Sequence, residues 1–168
     1  MCINIEMHNF FKLTHKFQSL PDVRAFLHEP AQLWREVGYG FSVLKIPAHV
    51  IKDDVFNEII ATFNITPVVL RTPAKFWYKW HIDTDRAAAI NVELYSENSH
   101  TVYGVPTDIE NRIDIEELIY EEGAAYLLNT QSSHSILNLG PERYVMSLGF
   151  RSPNTYESIR EFIVRENI

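Results

Sequence analysis

The sequence predicts an α+β fold whose body is an antiparallel double sheet of the jelly-roll or cupin type, preceded by helices and followed by one helix. Short runs rich in β-branched and aromatic residues recur between about residues 41 and 151, and Pro, Gly, Asn and Ser clusters separate them. Many short strands at near-regular spacing are typical of an antiparallel sandwich or barrel. The chain has 168 residues and its eight prolines stand singly, so we expect one domain over residues 1–168.

The N-terminal forty residues are predicted to be mixed or helical. A first helix is predicted to start at Ser19, which precedes a proline in the first turn, and to end at Pro30. A second, short helix is predicted over residues 31–37 and closes at the glycine that follows. Apolar residues recur at helical spacing over residues 49–63 and again over residues 154–165, which predicts one helix before the sheets and one after them.

The strands are predicted from runs in which branched and aromatic side chains are bounded by turn-forming residues. In chain order these runs cover residues 41–47, 66–71, 75–83, 88–95, 101–105, 123–130, 133–139 and 143–151.

Composition excludes several classes of function. The net charge of −7 argues against a nucleic-acid partner, which requires a basic surface. No apolar run approaches the roughly 20 residues of a membrane helix, so no membrane partner is expected. Cys2 is the single cysteine, which excludes an internal disulfide and suits a reducing compartment; we assign it no role. The first six residues lack the pattern of a signal peptide, so the expected location is the cytoplasm.

The segment over residues 75–83 carries the first candidate metal ligands. If it is a regular strand, alternate side chains share a face. One predicted face carries Trp77, Lys79, His81 and Asp83. The other face, expected to pack against a core, carries Phe76, Tyr78, Trp80 and Ile82. An imidazole and a carboxylate then lie side by side at the end of the strand, where both can reach one metal ion. A lysine on the same inward face requires either a function or a charged partner.

A third ligand has to come from another strand, and His134 opens a predicted strand that could lie opposite His81. Two histidines and one carboxylate with open coordination positions are typical of non-haem Fe(II) oxygenases. Asp85 is the nearest alternative to Asp83 as the carboxylate. His100 is the alternative third histidine, although it lies in a segment that reads as a loop.

Arg143 follows a Gly-Pro turn and starts the strand that returns from His134. A guanidinium there would lie deep beside the metal and could bind a carboxylate through two parallel hydrogen bonds. Arg151 has the same strand parity and is the alternative carboxylate anchor. Arg86 and Asn91 are further candidates to line the pocket, or else only a solvated loop and strand.

These segments resemble the 2-oxoglutarate-dependent Fe(II) oxygenases with a double-stranded β-helix fold, and most closely the branch of aspartyl/asparaginyl β-hydroxylases and small proline hydroxylases. The resemblance lies in WHIDTDR, INV, SHSILN and PERYVMS and spans about residues 76–150.

The resemblance implies that His81, Asp83 and His134 bind Fe(II) and that Arg143 binds the distal carboxylate of 2-oxoglutarate. Arg86 and Asn91 are candidate co-substrate contacts. The family oxidises 2-oxoglutarate with O₂ to succinate and CO₂ while it hydroxylates a C–H bond. Some aspartyl-hydroxylase relatives lack the carboxylate ligand, whereas this sequence keeps it.

Three functions therefore compete. The first is an Fe(II)- and 2-oxoglutarate-dependent hydroxylase of a small molecule, such as an amino acid, or of an amino-acid side chain in a peptide. The second is a cupin-like metalloenzyme that uses the same ligands without 2-oxoglutarate, in which Arg143 is structural or binds substrate. The third is a non-catalytic jelly-roll binding domain, against which the complete ligand set argues.

Overall fold

The computed structural model describes residues 9–30, 32–106 and 113–168. Cys2 and the N-terminal segment tested for a signal peptide lie outside these residues. The strands are β1 Phe10–Lys16, β2 Arg35–Glu36, β3 Ser42–Lys45, β4 Val68–Thr72, β5 Phe76–His81, β6 Ala88–Tyr95, β7 Ser99–Pro106, β8 Ile113–Leu118, β9 Ala124–Asn129, β10 His134–Asn138 and β11 Arg143–Phe150. The helices are α1 Leu20–Leu27, α2 Asp54–Phe63 and α3 Tyr156–Glu166, with a 3₁₀ turn at Ala48–Val50.

The described strands form two antiparallel sheets. The large sheet has the order β1-β9-β6-β11-β4-β3-β2, and the small sheet has the order β5-β10-β7-β8. The sheets face each other, since Arg143 on β11 donates to the Thr101 hydroxyl on β7. The predicted α+β class with a jelly-roll body is therefore confirmed.

The two faces of the large sheet have different roles, as alternation along β6 shows. Ile90 and Val92 are fully buried in the cluster that includes α1, α2 and α3. Ala89 and Asn91 point the other way and line a small cavity between the sheets. Burying each large aliphatic side chain contributes about 1.5–3 kcal/mol, so the helix-covered face stabilises the fold while the inner face is free to carry polar groups.

The N-terminal region differs from the expectation. Phe11 and Leu13 alternate with polar residues in a segment that forms β1. This strand pairs with β9 and lies N-terminal to the range in which strands were predicted. The predicted helix over residues 31–37 is wrong: Arg35–Glu36 pairs with β3 in a hairpin. Gly38, Tyr39 and Gly40 have φ values of 88°, 51° and 82°, and a turn of this hand closes a hairpin and cannot continue a helix.

The other helices lie near their predicted positions. The predicted helix over residues 49–63 divides into the 3₁₀ turn and α2, because the Asp53 carboxylate accepts from the Phe56 amide and caps α2 at that point. Within the described part of the chain, no helix is long and apolar enough to cross a membrane.

Candidate active site

His81, Asp83 and His134 come together at one end of the small sheet. β5 and β10 are antiparallel neighbours that place His134 directly opposite His81, and Asp83 follows β5 by two residues. The Asp83 Oδ1 atom lies 3.6 Å from His81 Nε2 and 3.9 Å from His134 Nε2. One potential ligand atom from each residue lies within 4.8 Å of the others. These three donors have the chemistry and spacing to hold one transition-metal ion.

Backbone carbonyls fix the tautomer of both histidines. His81 Nδ1 lies 2.7 Å from the Lys79 carbonyl, and His134 Nδ1 lies 2.9 Å from the Ser132 carbonyl. A carbonyl only accepts, so each Nδ1 carries the proton and each Nε2 keeps the lone pair that a metal needs. Burial lowers the pKa of His134, which keeps this ring neutral to lower pH.

A β-bulge in β5 sets the direction of these side chains. On β10 the pairing residues His134 and Ile136 are two positions apart, whereas their partners His81 and Tyr78 on β5 are three apart. The extra residue places Tyr78 and His81 on the same face, with ring centroids 3.9 Å apart. The predicted regular alternation is therefore wrong in this segment.

The bulge also changes which face of the strand the other side chains of the segment occupy. Lys79 is exposed, so it needs no buried partner and does not share the inward face of His81. Trp80 is 43% and Ile82 is 54% exposed, so the prediction that they pack against a core is wrong. Phe76 and Tyr78 do point inward, where both rings contact Phe41.

A buried arginine lies beside His134, one of the three candidate metal ligands. Arg143 is 2% exposed, and its Nη2 donates to Thr101 Oγ1 at 3.0 Å. Its nearest carboxylate among the described residues is Glu93, 3.8 Å from Nε, beyond hydrogen-bonding distance. Burial raises the pKa of Glu93, although the neighbouring guanidinium acts in the opposite direction.

A cavity of about 40 Å³ separates Arg143 from His134, and Asn91 and Arg86 also line it. Arg143 Nε and Asn91 Oδ1 are buried and have no hydrogen-bond partner among the described residues. Buried polar groups are nearly always paired, so these atoms indicate a polar ligand between the sheets. A buried guanidinium whose Nε has no hydrogen-bond partner among the described residues favours an anionic one.

The remaining candidates lie in different surroundings. Arg86 Nε lies 2.5 Å from Asp83 Oδ2, so Arg86 contacts one of the three candidate metal ligands. Arg151 is 76% exposed and lies 3.9 Å from Asp85, which is 71% exposed, so neither alternative enters the inner cavity. His100 pairs with a surface glutamate and lies outside the group.

A wide groove of about 1980 Å³ opens over His81, Asp83 and His134. Tyr78 and Tyr39 form part of its wall, with ring centroids 5.7 Å apart, and the Phe41 ring lies 4.9 Å from that of Tyr78. Burial, followed by the nearby Asp83, raises the pKa of Tyr78 and keeps its hydroxyl protonated. Sequence reasoning missed this wall; the available signal was the Gly-Tyr-Gly turn at residues 38–40.

Comparisons with solved structures place this architecture among known folds. The chain is similar to a prolyl-4-hydroxylase from Pseudomonas putida, with a TM-score of 0.58 and 14% identity over 88% of this chain and 95% of that one. It is also similar to a prolyl hydroxylase from Trichoplax adhaerens in complex with a peptide fragment of the hypoxia inducible factor oxygen degradation domain, with a TM-score of 0.61 and 12% identity over 86% of this chain and 84% of that one.

A third similar structure is an oxidoreductase of the 2OG-Fe(II) oxygenase family from Burkholderia pseudomallei, with a TM-score of 0.58 and 12% identity over 89% of this chain and 87% of that one. No family model and no curated protein sequence matches the chain. At these identities the comparisons establish a shared fold. The chain therefore has the fold of the prolyl hydroxylases and related 2OG-Fe(II) oxygenases.

Proposed function

We propose that the protein is an Fe(II)- and 2-oxoglutarate-dependent oxygenase that hydroxylates a C–H bond. One observation carries the proposal: two histidine Nε2 atoms and a carboxylate oxygen converge beside a buried arginine that has a free donor. The reaction consumes substrate, 2-oxoglutarate and O₂ and releases hydroxylated substrate, succinate and CO₂. One oxygen atom enters the substrate and the other enters succinate.

The three convergent residues would hold the iron. His81 and His134 would present Nε2, since their Nδ1 atoms are engaged by carbonyls. Asp83 would present Oδ1, the oxygen that faces both rings. Two imidazoles and one carboxylate leave open positions for co-substrate and O₂, and the bound iron would supply the redox chemistry. The retained carboxylate fits hydroxylation.

Arg143 would bind the distal carboxylate of 2-oxoglutarate. The cavity in front of it has room for a carboxylate group and is lined by His134, so the co-substrate would extend from the arginine towards the metal group. Thr101 already orients one arm of the guanidinium. Asn91 would contribute a polar contact from β6. Because the site lies between the two sheets, a carboxylate there would be shielded from water, which strengthens its pairing with Arg143.

The substrate class is a small molecule, such as an amino acid, or an amino-acid side chain in a peptide. The groove over the ligands is larger than the 300–1,000 Å³ that small-molecule pockets usually occupy, which favours the side chain of a larger partner. The similarity to a prolyl hydroxylase in complex with a peptide fragment supports the same choice. The aromatic wall of Tyr39 and Tyr78 would pack against an apolar part of that substrate.

Turnover of 2-oxoglutarate tests the proposal. The full chain, reconstituted with Fe(II) and ascorbate in air, should form succinate from 2-oxoglutarate slowly alone and faster with a peptide library. His81→Ala should abolish succinate formation. His100→Ala, which removes a half-buried histidine outside the site, should leave it unchanged.

The cupin-like alternative keeps the three metal ligands and does not use 2-oxoglutarate. Tight metal binding without succinate formation under any condition would contradict our proposal and favour that alternative. Failure to bind any metal would favour the non-catalytic binding domain.

A further inference from the structure

Arg86 occupies the one oxygen of Asp83 that the histidines do not face. Its Nε lies 2.5 Å from Oδ2, while Oδ1 points towards the Nε2 atoms of His81 and His134. The two carboxylate oxygens therefore have separate partners. We propose that Arg86 is a positioning residue that holds Asp83 so that only Oδ1 is presented to the metal, an inference that rests on the proposed function.

Hydrogen bonds from one neighbouring segment, residues 130–131, hold the backbone of Asp83 and Arg86. The Asp83 amide donates to the Thr130 carbonyl at 2.9 Å, and the Thr130 hydroxyl donates to the Arg86 carbonyl at 2.8 Å. The side chain of Gln131 donates to the carbonyls of both Asp83 and Arg86, each at 2.8 Å. The turn that carries Asp83 and Arg86 is thus held against the connection between β9 and β10, three to four residues before β10 begins.

The Arg86 side chain is guided as well. Its stem crosses Gly149 on β11, where an added Cβ would lie 3.5 Å from the Arg86 Cδ atom. Its Nη1 lies 3.5 Å from Ser147 Oγ on the same strand. The guanidinium therefore approaches Asp83 from the side of β11, and its planar shape favours one orientation of the carboxylate.

Two effects of Arg86 on a bound cation oppose each other. Its positive charge repels the cation, and its hydrogen bond orders the ligand. The Arg86 side chain is 26% exposed, so water reduces the repulsion, whereas Asp83 is only 9% exposed and its orientation depends on protein contacts. We expect the ordering effect to dominate. Partners that orient a metal ligand typically contribute 10- to 100-fold to metal affinity.

This role differs from that of Arg143, which has no carboxylate within hydrogen-bonding distance among the described residues. Without Arg86, the Asp83 carboxylate would be free to rotate or to offer both oxygens to the metal. The coordination number would then change as well as the affinity. That change gives a spectroscopic readout that a general loss of stability does not produce.

Cobalt(II) binding to the full chain tests the inference without turnover. Affinity is measured by calorimetry and coordination by the visible absorption of cobalt(II), on wild type, Arg86→Gln, Arg86→Lys and Asp83→Ala. Arg151→Gln is the matched control, since it removes the same charge from an exposed site near the same groove. Circular dichroism and thermal unfolding verify that each variant is folded.

We expect Asp83→Ala to lose binding, Arg86→Gln to bind roughly 10- to 100-fold more weakly with an altered spectrum, and Arg86→Lys to recover part of the affinity. Arg151→Gln should match wild type. If Arg86→Gln binds cobalt(II) as tightly as wild type or more tightly, with the same spectrum, while Asp83→Ala does not bind, the positioning role is refuted and the metal site stands. Unchanged binding by Asp83→Ala would instead refute the metal site itself.

Discussion

Replacing Arg143 with methionine tests the co-substrate site most specifically. Methionine keeps an unbranched stem and removes the charge and all donors, so little new cavity forms. The arginine is 2% exposed and its Nε is unpaired among the described residues, so an incoming carboxylate would meet a shielded guanidinium with an available donor. A hydrogen bond to a charged group contributes about 1.5–3 kcal/mol.

Two such bonds, discounted for the carboxylate hydration that binding removes, amount to about 3 kcal/mol. Since each 1.4 kcal/mol is a factor of ten, 2-oxoglutarate should bind roughly 100-fold more weakly to Arg143→Met. Arg143→Lys keeps the charge but not the planar fork, and should lose about 10-fold.

Loss of Arg143 also affects Glu93. Burial already raises the pKa of Glu93 and Arg143 lowers it, so removing the arginine raises that pKa further. The half-buried Glu93 carboxylate would then lose its neighbouring positive charge, so the variant should be somewhat less stable than the wild type. Thermal unfolding of the variant checks this point before binding is measured.

The assay is anaerobic calorimetry of 2-oxoglutarate binding to protein loaded with Mn(II), which binds without turnover. Arg151→Met is the control, because that arginine is 76% exposed. Wild-type affinity in Arg143→Met together with a loss in Arg151→Met would refute the assignment and restore Arg151 as the anchor.

Three further changes have separate outcomes. Lys79→Ala should leave 2-oxoglutarate affinity unchanged in the same calorimetric assay, because the β5 bulge leaves this lysine exposed; a large loss would contradict the bulge. Gly140→Ala should lower the free energy of unfolding in urea by about 3 kcal/mol, since its Cβ would lie 1.7 Å from the Glu97 carbonyl oxygen; an unchanged urea midpoint would show that the two loops separate easily. Burial raises the pKa of Tyr156 to about 12, and its hydroxyl has no partner among the described residues. The folded state therefore keeps this proton between pH 10 and 12, where the unfolded chain loses it, so stability falls as pH rises through that window. Tyr156→Phe should reduce this loss of stability at high pH and should not destabilise the protein at pH 7. Urea unfolding at pH 7 and between pH 10 and 12 would show both effects.

The overall fold could be predicted because its strands carry local signals. Runs such as β6 and β11 are short, apolar or aromatic in large part and bounded by turn residues, and most of the predicted strands lie within a few residues of their predicted limits. β8 was not predicted because its acidic residues resemble a solvated segment, although Ile113 and Ile115 alternate with them. The β2–β3 hairpin was missed because the apolar spacing over residues 31–37 suits a helix, whereas the left-handed turn at Gly38 decides the outcome.

The candidate site could be predicted only in part, because its geometry depends on contacts between segments that are remote in sequence. His81 and His134 face each other because their strands are antiparallel neighbours, an arrangement that the two strand-like segments allowed but did not determine. The bulge that turns Lys79 outward depends on pairing with β10, and periodicity within β5 does not contain that information. The contact between Arg86 and Asp83 likewise depends on the Thr130 and Gln131 segment, which is remote in sequence.

Anaerobic binding of 2-oxoglutarate with and without Fe(II), on wild type and on His134→Ala, tests the central claim most directly. His134 is one of the three proposed metal ligands and also lines the cavity in front of Arg143, so both parts of the proposed site depend on it. We predict binding that requires the metal and disappears in the variant. Metal binding with no response to 2-oxoglutarate, or equal co-substrate binding by His134→Ala, would contradict the claim.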